Sequence, residues 1–313
     1  MQYFTAEQIH ETLTYAEFVP FLRQWFATAA GVPDRAHHEL PNATLLLMPA
    51  WNDEFLGVKI ATVHPENEEL PSIHAIYFLQ SAKTGEPLAT FEGKALTARR
   101  TAAASALAAS YLATADARKL LMIGNGTLAP ELIEAHASVR PIEAVRIWGR
   151  DPANVDALIG SIGWQELRVE RASDLQEAVQ WADIISCATL SKTPLVQGAW
   201  LRPGQHVDLV GSFKPDMREA DDAVLQRARI FIDTPMALRE SGDLAIPLKN
   251  GVIQQSDIQA DLTALCTGTH VSRSQAEEVT VFKSVGVALE DLAAAAFIFQ
   301  KRSYEYVSTH STS

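Results

Sequence analysis

The sequence has few cysteines, no long apolar run and a shortage of positive charge. Only two of its 313 residues, Cys187 and Cys266, are cysteine, too few for a disulfide framework or an all-cysteine zinc site. The most apolar stretch, 292–299, is far shorter than the roughly 20 residues that a membrane-spanning helix needs. We therefore expect two reduced thiols and no membrane span.

Basic residues number 26 against 38 acidic ones, which gives a formal net charge of -12. A surface of that charge repels phosphate backbones and anionic lipids, so nucleic acids and membranes are not the expected partners. The first residues, MQYFTAEQIHETL, lack a basic segment followed by an apolar one, so no signal peptide is indicated and we expect a cytoplasmic protein. The length favours two domains or one large α/β unit.

The N-terminal part predicts helices around an antiparallel sheet. Residues 5–30 repeat apolar side chains at three- and four-residue spacing, with Thr5 at the helix start. Between about 42 and 92, four short apolar or alternating runs are separated by turn residues, and 83–86 has the composition of a hairpin turn. The alanine- and leucine-rich segment 95–114 predicts another helix.

After residue 116, strands alternate with helices. Apolar strands are predicted, in order, at LLMIG, AVRIWG, ELRVERA, DIISCAT, HVDLVGS and RIFID. Such alternation is typical of a doubly wound parallel sheet, so the fold class is α/β. RIFID is expected to be the last apolar strand before a helical stretch at 235–240, and 279–302 is expected to form one helix that packs on the N-terminal sheet.

A glycine turn with the pattern Gly-x-Gly-x-x-Ala follows the strand LLMI and opens a helix. Its residues are Gly124, Asn125, Gly126, Thr127, Leu128 and Ala129. The first glycine permits the tight turn, the second lets the backbone approach a pyrophosphate, and the alanine lets the helix pack closely. Pro130 falls in the first helical turn, where its missing N–H costs little. This context predicts a dinucleotide site, with a purely structural turn as the alternative.

The end of the next strand bears on which dinucleotide is bound. NAD enzymes usually place Asp or Glu there to bind the ribose 2′-hydroxyl, whereas this strand ends in Gly149 and Arg150. Glycine leaves room for a 2′-phosphate and arginine binds it with two N–H donors. Asp151 comes two residues too late. The sequence favours NADP(H); NAD(H) is the alternative, in which Arg150 is a solvated turn residue.

Five segments, taken in order, resemble the ornithine cyclodeaminase/mu-crystallin family. They are LTARRTAAASALAASYLA, the glycine turn, SCATLSKTPLV, LVGSFKPDMREADD and VTVFKSVGVALEDLAAAA. The resemblance covers about residues 32–296. It implies a Rossmann domain at 116–289, and an α+β substrate-binding and dimerisation domain formed by 1–115 and 290–313. This family includes ornithine cyclodeaminases, archaeal-type alanine dehydrogenases, reductases of cyclic imino acids and mu-crystallin, a ketimine reductase that binds thyroid hormone.

The resemblance also implies a substrate site made of cations. Arg35, Lys59 and Arg100 match the family's substrate-binding residues, and Lys59 and Arg100 are the expected catalytic pair. Arg100 would grip a carboxylate as a fork with Arg35 assisting, and Lys59 would act beside the reacting nitrogen or carboxylate. Lys59 lies in an apolar strand, where a buried lysine needs a partner. Arg99 is the neighbouring alternative to Arg100. The three cations are expected to outweigh the chain's negative charge locally.

Further cofactor contacts are expected beyond the glycine turn. Thr189 and Ser191 follow a strand end where the cofactor should pass, and the segment Ser284, Val285 and Gly286 resembles the family segment beside the nicotinamide. His64 and His206 have no second ligand at metal-binding spacing, so no metal site is expected.

One position departs from the cyclodeaminase pattern Val-Gly-x-Asp-x-Pro-Gly. Phe213 stands where those enzymes carry a catalytic aspartate, and Asp216 is expected to cap the following helix instead. Cyclodeamination needs a base for the amine protons, and a phenyl ring is not a base. With this departure, the resemblance implies a homodimeric NAD(P)H-dependent reductase of cyclic 2-imino acids. Δ1-pyrroline-2-carboxylate or Δ1-piperideine-2-carboxylate would give L-proline or L-pipecolate. The alternatives are an ornithine cyclodeaminase, an alanine dehydrogenase-like enzyme and a non-catalytic NADP-dependent binding protein.

Overall fold

The computed structural model describes residues 1–67, 69–163 and 167–310, with side chains described through residue 303. It divides into two compact units. Unit 1 comprises Met1–Ala103 and Val287–Ser313, and unit 2 comprises Ala104–Gly286. The domain boundaries predicted from the sequence, at 115/116 and 289/290, lie C-terminal to the boundaries between the two units, at 103/104 and 286/287.

The secondary structure of the described residues alternates strands and helices along most of the chain. The strands are β1 Gln2–Phe4, β2 Ala36–Leu40, β3 Ala43–Trp51, β4 Phe55–Val63, β5 Ile73–Ser81, β6 Pro87–Glu92, β7 Lys119–Ile123, β8 Ala144–Trp148, β9 Arg168–Arg171, β10 Ile184–Cys187, β11 His206–Leu209, β12 Ala228–Ile232, β13 Ile258–Asp261 and β14 Val279–Lys283. The helices are α1 Ala6–Thr12, α2 Tyr15–Phe26, α3 Gly93–Leu112, α4 Leu128–Val139, α5 Pro152–Ser161, α6 Leu175–Trp181, α7 Asp222–Arg227, α8 Ala237–Glu240, α9 Gly242–Lys249, α10 Leu262–Thr267 and α11 Ala288–His310. Within the described residues, none of these helices is both long and apolar enough to cross a membrane.

Unit 1 is built on a sheet with the strand order β1-β6-β5-β4-β3-β2. The predicted antiparallel strands are confirmed, and the hairpin turn between β5 and β6 has Gly85 at φ 72°. Two strands were missed: β1, which joins β6 in parallel, and β2, whose sequence AHHEL is exposed throughout. The helix expected over 5–30 is two helices, and Thr5 caps the first by accepting a hydrogen bond from the Gln8 N–H.

One face of this sheet is covered and the other carries exposed apolar side chains. Helix α11 packs against β3, β4 and β5. Along β4, the side chains of Phe55, Lys59 and Ala61 are buried while Ile60 is exposed, because successive side chains of a strand alternate between faces. A lysine therefore stands in the covered, apolar face of the sheet.

Unit 2 is a parallel sheet in the order β13-β12-β14-β11-β10-β7-β8-β9, as the Rossmann prediction required. The chain moves outwards from β7 through β8 to β9 and then returns to the other side of β7 with β10. The order reverses between β7 and β10, and in such sheets ligands bind outside the carboxyl ends of the strands at this point. Its strands β7, β10 and β11 are almost wholly buried, as expected of parallel strands packed on both faces.

The sequence prediction for residues 279–302 was wrong. They are not one helix: Val279–Lys283 forms the central strand β14, and helix α11 begins only at Ala288. The run VTVFK, rich in β-branched and aromatic residues, suits a buried strand, and Gly286 at φ 82° separates it from the helix. The predicted strand RIFID (β12) and the helical stretch after it (α8) are confirmed, whereas β13 was not predicted.

Asp216 does not cap a helix. It lies in a turn and its carboxylate pairs with the Lys192 Nζ at 2.7 Å, while Asp221 caps α7. Of the predicted strand ELRVERA, β9 accounts for Arg168–Arg171, and Glu166 lies outside the described residues.

Candidate functional site

The glycine turn after β7 has the backbone geometry that a dinucleotide site needs. Gly124 has φ 110°, and a Cβ there would lie 2.6 Å from the Ala188 carbonyl oxygen, so only glycine fits. A Cβ on Gly126 would meet nothing within 4 Å, which leaves that backbone open to a ligand. No side chain of the described residues caps α4 at Thr127. The Ala129 N–H donates to the Gly126 carbonyl and Pro130 has no N–H, so the N–H groups of Thr127 and Leu128 are the ones that a phosphate would meet at this helix start.

Seven of the predicted cofactor residues line one open cavity of about 280 Å³ in unit 2. They are Gly124, Asn125, Gly126, Gly149, Arg150, Thr189 and Ser191. Thr127 and Leu128 lie where α4 begins, and Val285 lies just beyond β14. The glycine turn, the end of β8 and the loop after β10 therefore meet where the strand order reverses. This arrangement fits a dinucleotide.

At the end of β8, the role of Gly149 differs from the sequence prediction that it leaves room for a 2′-phosphate. A Cβ on Gly149 would lie 2.8 Å from Val155 Cγ2 and 3.0 Å from Asn125 Oδ1, so close packing of the protein itself explains this glycine. Asp151 caps α5, because its Oδ1 accepts from the Ala153 N–H at 2.9 Å. Arg150 is exposed and makes no hydrogen bond or ion pair with another described residue.

A buried carboxylate that the sequence analysis missed, Glu219, holds the loop that lines this cavity. Its Oε1 accepts hydrogen bonds from the backbone N–H of Thr189 at 2.6 Å and from the Thr189 hydroxyl at 2.9 Å. Its Oε2 accepts from the N–H groups of Gly211 at 2.7 Å and Ser212 at 3.2 Å. Glu219 thus ties the loop after β10 to the loop after β11. Nothing in the sequence distinguishes it from the other acidic residues between 216 and 222.

Two further charged residues, Asp243 and Lys283, belong to the same buried network as Glu219. Asp243 Oδ1 accepts hydrogen bonds from the N–H groups of Glu219 at 2.8 Å and Ala220 at 3.1 Å. Lys283 Nζ donates to the Leu209 carbonyl at 2.9 Å and lies 3.6 Å from Asp243 Oδ2. Burial, reinforced by Asp243 and opposed by Lys283, raises the pKa of Glu219 to about 7. Its ionisation therefore falls in the physiological range.

The segment after β14 is held by another carboxylate. Asp233 Oδ2 accepts hydrogen bonds from the N–H groups of Val285 at 2.8 Å and Gly286 at 2.6 Å. Asp233 directly follows β12, the strand next to β14 in the sheet. The backbone of the predicted nicotinamide segment is therefore set by the carboxyl end of a neighbouring strand.

Unit 1 contains a cluster of buried charges, here called the ion cluster, formed by Lys59, Arg100, Glu290 and Asp291. Lys59 Nζ donates to Asp291 Oδ2 at 2.7 Å, and Arg100 Nε donates to Asp291 Oδ1 at 3.0 Å. Arg100 Nη1 contacts a carboxylate oxygen of Glu290. All four side chains are at least 95% buried. Two of the three predicted substrate cations therefore meet in one place.

The ion cluster changes the proton affinity of its members. Burial, with the nearby charges of Arg100 and Arg35, lowers the pKa of Lys59 to about 8, although Asp291 opposes this shift. Burial also acts on Arg100, but the two carboxylates more than offset it and raise its pKa above the usual value. Arg35, the third predicted cation, is thus close enough for its charge to act on Lys59.

The two carboxylates of the ion cluster correct the expectation that the cations dominate their surroundings. Asp291 and Glu290 pair with Lys59 and Arg100, so the formal charges of the ion cluster cancel. The signal for these acids is in the sequence, because two adjacent acidic residues open the otherwise apolar run VALEDLAAAA. On such a helix they are buried, and buried acids need partners.

The other candidate residues lie elsewhere. Arg99, the alternative to Arg100, stacks 4.4 Å above the Tyr15 ring and donates to the His10 carbonyl. His206 is buried with Nδ1 2.9 Å from Thr280 Oγ1, and burial lowers its pKa to about 3. His64 follows β4 in a turn. In the described part of the chain, no group of three or more His, Cys, Asp or Glu side chains is arranged to hold a metal ion.

We predict that Glu219→Gln weakens dinucleotide binding about tenfold, because an amide nitrogen would then face a backbone N–H in place of an acceptor. Titration of NADH and NADPH fluorescence measures this. In the unsubstituted protein, affinity should also fall as the pH drops below about 7, since protonation removes an acceptor, and the variant should lack this dependence. Glu170→Gln, at a half-exposed residue paired with Arg146, is the control. An unchanged affinity in Glu219→Gln would contradict the positioning role.

Comparison with known proteins agrees with these motifs. The profile of the ornithine cyclodeaminase/mu-crystallin family matches residues 6–305. The Delta(1)-pyrroline-2-carboxylate reductase of Colwellia psychrerythraea is 36% identical over 96% of this chain and 99% of its own. The structure of Thermococcus litoralis Delta(1)-pyrroline-2-carboxylate reductase in complex with NADH and L-proline has a TM-score of 0.92 at 32% identity, covering 97% of this chain and 98% of that one. An archaeal alanine dehydrogenase dimer with bound NAD has a TM-score of 0.91 at 26% identity, covering 98% and 97%. The chain belongs to the ornithine cyclodeaminase/mu-crystallin family.

Proposed function

We propose that the protein is an NAD(P)H-dependent reductase that converts a cyclic 2-imino acid into the corresponding amino acid. The substrate would be Δ1-pyrroline-2-carboxylate or its six-membered homologue, Δ1-piperideine-2-carboxylate, and the product L-proline or L-pipecolate. The observation that carries this proposal is the ion cluster, a buried pair of cations in a chain that also has a dinucleotide turn. The names of the Colwellia and Thermococcus relatives support it.

The roles of the cations follow from their chemistry. Arg35 and Arg100 would bind the substrate carboxylate, since a guanidinium donates several N–H groups in a plane that matches a carboxylate. Lys59 donates to Asp291 with one ammonium proton, which leaves two for the substrate. With a pKa of about 8, Lys59 holds its proton at neutral pH and releases it readily to the ring nitrogen.

The cofactor would be held by unit 2. The turn 124–128 and the start of α4 would bind its pyrophosphate, with Thr189, Ser191 and Val285 as further contacts. A bound reduced nicotinamide supplies the hydride that the imine carbon accepts. The residues of this chain then have to orient the imine, hold its carboxylate and provide one proton.

Position 213 favours the reductase over an ornithine cyclodeaminase. Phe213 lies in the loop after β11 and is 38% exposed, and its ring accepts no amine proton. Asp216 is no substitute, because it is paired with Lys192 at an exposed position. Reduction of a preformed imine requires a proton donor and no base at this step, which Lys59 satisfies.

We further propose that NADP(H) is preferred to NAD(H). Arg150 is exposed at the edge of the cofactor cavity, and Asp151, the nearest acid, is occupied as a helix cap. A 2′-phosphate would meet an arginine there, and a 2′-hydroxyl would find no acid at the usual position. The related structures contain NADH and NAD, so the preference is a property proposed for this chain.

A homodimer and a cytoplasmic location complete the proposal. The outer face of the unit 1 sheet carries half-exposed apolar side chains, among them Ile60 and Ile76, which a second copy would cover. The related alanine dehydrogenase is a dimer. Both cysteines lie in the described residues and form no disulfide, which agrees with a reducing compartment.

The proposed activity is tested by following NADPH and NADH absorbance with parallel substrates. We expect oxidation of reduced cofactor with Δ1-pyrroline-2-carboxylate or Δ1-piperideine-2-carboxylate, and little with pyruvate plus ammonia. Ornithine plus NAD should release no ammonia. The proposal fails if neither imine is reduced while ornithine yields ammonia.

Arg100→Met, which leaves Asp291 and Glu290 without this partner, should lose at least about a hundredfold in kcat/KM.

For the cofactor preference, Arg150→Ala should lower kcat/KM for NADPH about 10- to 100-fold and leave that for NADH nearly unchanged. Steady-state kinetics with each cofactor at saturating imine measures this. Arg168→Ala, which removes another exposed arginine of the same unit, is the matched control. An equal loss for both cofactors would show that Arg150 does not bind the 2′-phosphate.

The proton-donor role of Lys59 predicts a pH profile. Because protonated Lys59 is the active form, kcat/KM for the imine should fall about tenfold per pH unit above pH 8. Lys59→Arg should move this decline to higher pH, because arginine does not titrate there, and Lys59→Met should be poorly active without it. Persistence of the same decline in Lys59→Met would assign it to another group.

A further inference from the structure

A buried tyrosine stands beside the ion cluster, and neither the sequence analysis nor the proposed roles use it. Tyr77 lies on β5 directly opposite Lys59 on β4, so the two side chains point to the same covered face of the sheet. Its side chain is fully buried. Its hydroxyl finds no hydrogen-bond partner among the described residues. A polar donor is thus buried next to the cations without a partner.

The hydroxyl is unfavourable for the stability of the fold. A buried hydroxyl without a partner costs about 1–3 kcal/mol, a cost that phenylalanine would avoid. The ring packs against Phe91 as phenylalanine would. Gly57 on β4 makes room for both parts of the side chain, since a Cβ there would lie 2.1 Å from the hydroxyl oxygen and 2.6 Å from Cζ of the ring. Packing therefore accounts for the ring and leaves the hydroxyl unexplained.

The neighbouring groups define what the hydroxyl is able to bind. Both oxygens of Asp291 already accept hydrogen bonds, from Lys59 and from Arg100. Burial and the charge of Asp291 raise the pKa of Tyr77 well above its usual value, so the phenol remains protonated and neutral. A protonated phenol opposite a buried lysine suits one kind of ligand group, an anion with free acceptor oxygens.

We propose that Tyr77 is a fourth substrate-binding residue, whose hydroxyl donates a hydrogen bond to the carboxylate of the imino acid. This inference rests on the proposed function and adds a contact to the same site. The energy lost by leaving the hydroxyl without a partner is recovered when the substrate binds. Tyr77 therefore serves substrate affinity, while the ring alone serves the packing of the fold.

Tyr77→Phe tests this directly. We expect KM for the imine to rise about tenfold, the effect of losing one hydrogen bond to a charged group, with kcat little changed. The affinity for NADPH, which unit 2 would bind, should not change. The melting temperature should stay the same or rise, because the variant removes a buried donor without a partner. A purely structural tyrosine would instead lower the melting temperature and leave KM unchanged, which would overturn the proposal.

A second substrate identifies the group that the hydroxyl contacts. 1-Pyrroline has the same imine ring without the carboxylate, so the tenfold effect of Tyr77→Phe should vanish with it. An equal effect on both substrates would overturn the assignment to the carboxylate. Tyr15→Phe, at another buried tyrosine of unit 1 that stacks on Arg99, is the control and should leave both KM values unchanged.

The test also separates this inference from the proposed function. If the unsubstituted protein reduces neither imine, the proposed function fails and the role of Tyr77 fails with it. If the protein reduces the imine and Tyr77→Phe does so with the same KM, the role of Tyr77 alone is overturned.

Discussion

The pairing of Asp291 with Lys59 and Arg100 is the constraint on which the proposed substrate site depends. A lysine on the covered face of the sheet and an arginine of helix α3 would be too costly to bury alone, and one carboxylate, reached by both of them, makes their burial tolerable. The same pairing fixes the side chains in place and leaves the Lys59 pKa near 8. Helix α11 therefore contributes more than packing: its first turn supplies the counter-ions of the site.

Unit 2 also contains a buried carboxylate, but this one binds backbone N–H groups. There a carboxylate, Glu219, is buried to hold backbone, and it accepts the N–H groups of two loops that leave adjacent strands. Loops at the carboxyl ends of parallel strands have no ladder partners of their own, so such an acceptor gives them one conformation. The cofactor cavity is consequently shaped by a residue that does not line it. In both units, buried acids organise the groups that would meet the ligands.

The sequence predicted what depends on local pattern and missed what depends on contacts distant in the chain. The glycine turn at 124–129, the parallel sheet and Lys59 within an apolar strand are readable because spacing and residue type define them. Glu219 and Tyr77 are not, since each matters through its position beside residues that are distant in the chain. Asp291 stands out as an acid in an apolar run, but that run does not identify its partners Lys59 and Arg100. The error at Val279–Lys283 has the same origin: a short apolar run fits a helix or a buried strand, and only its place between β11 and β12 decides.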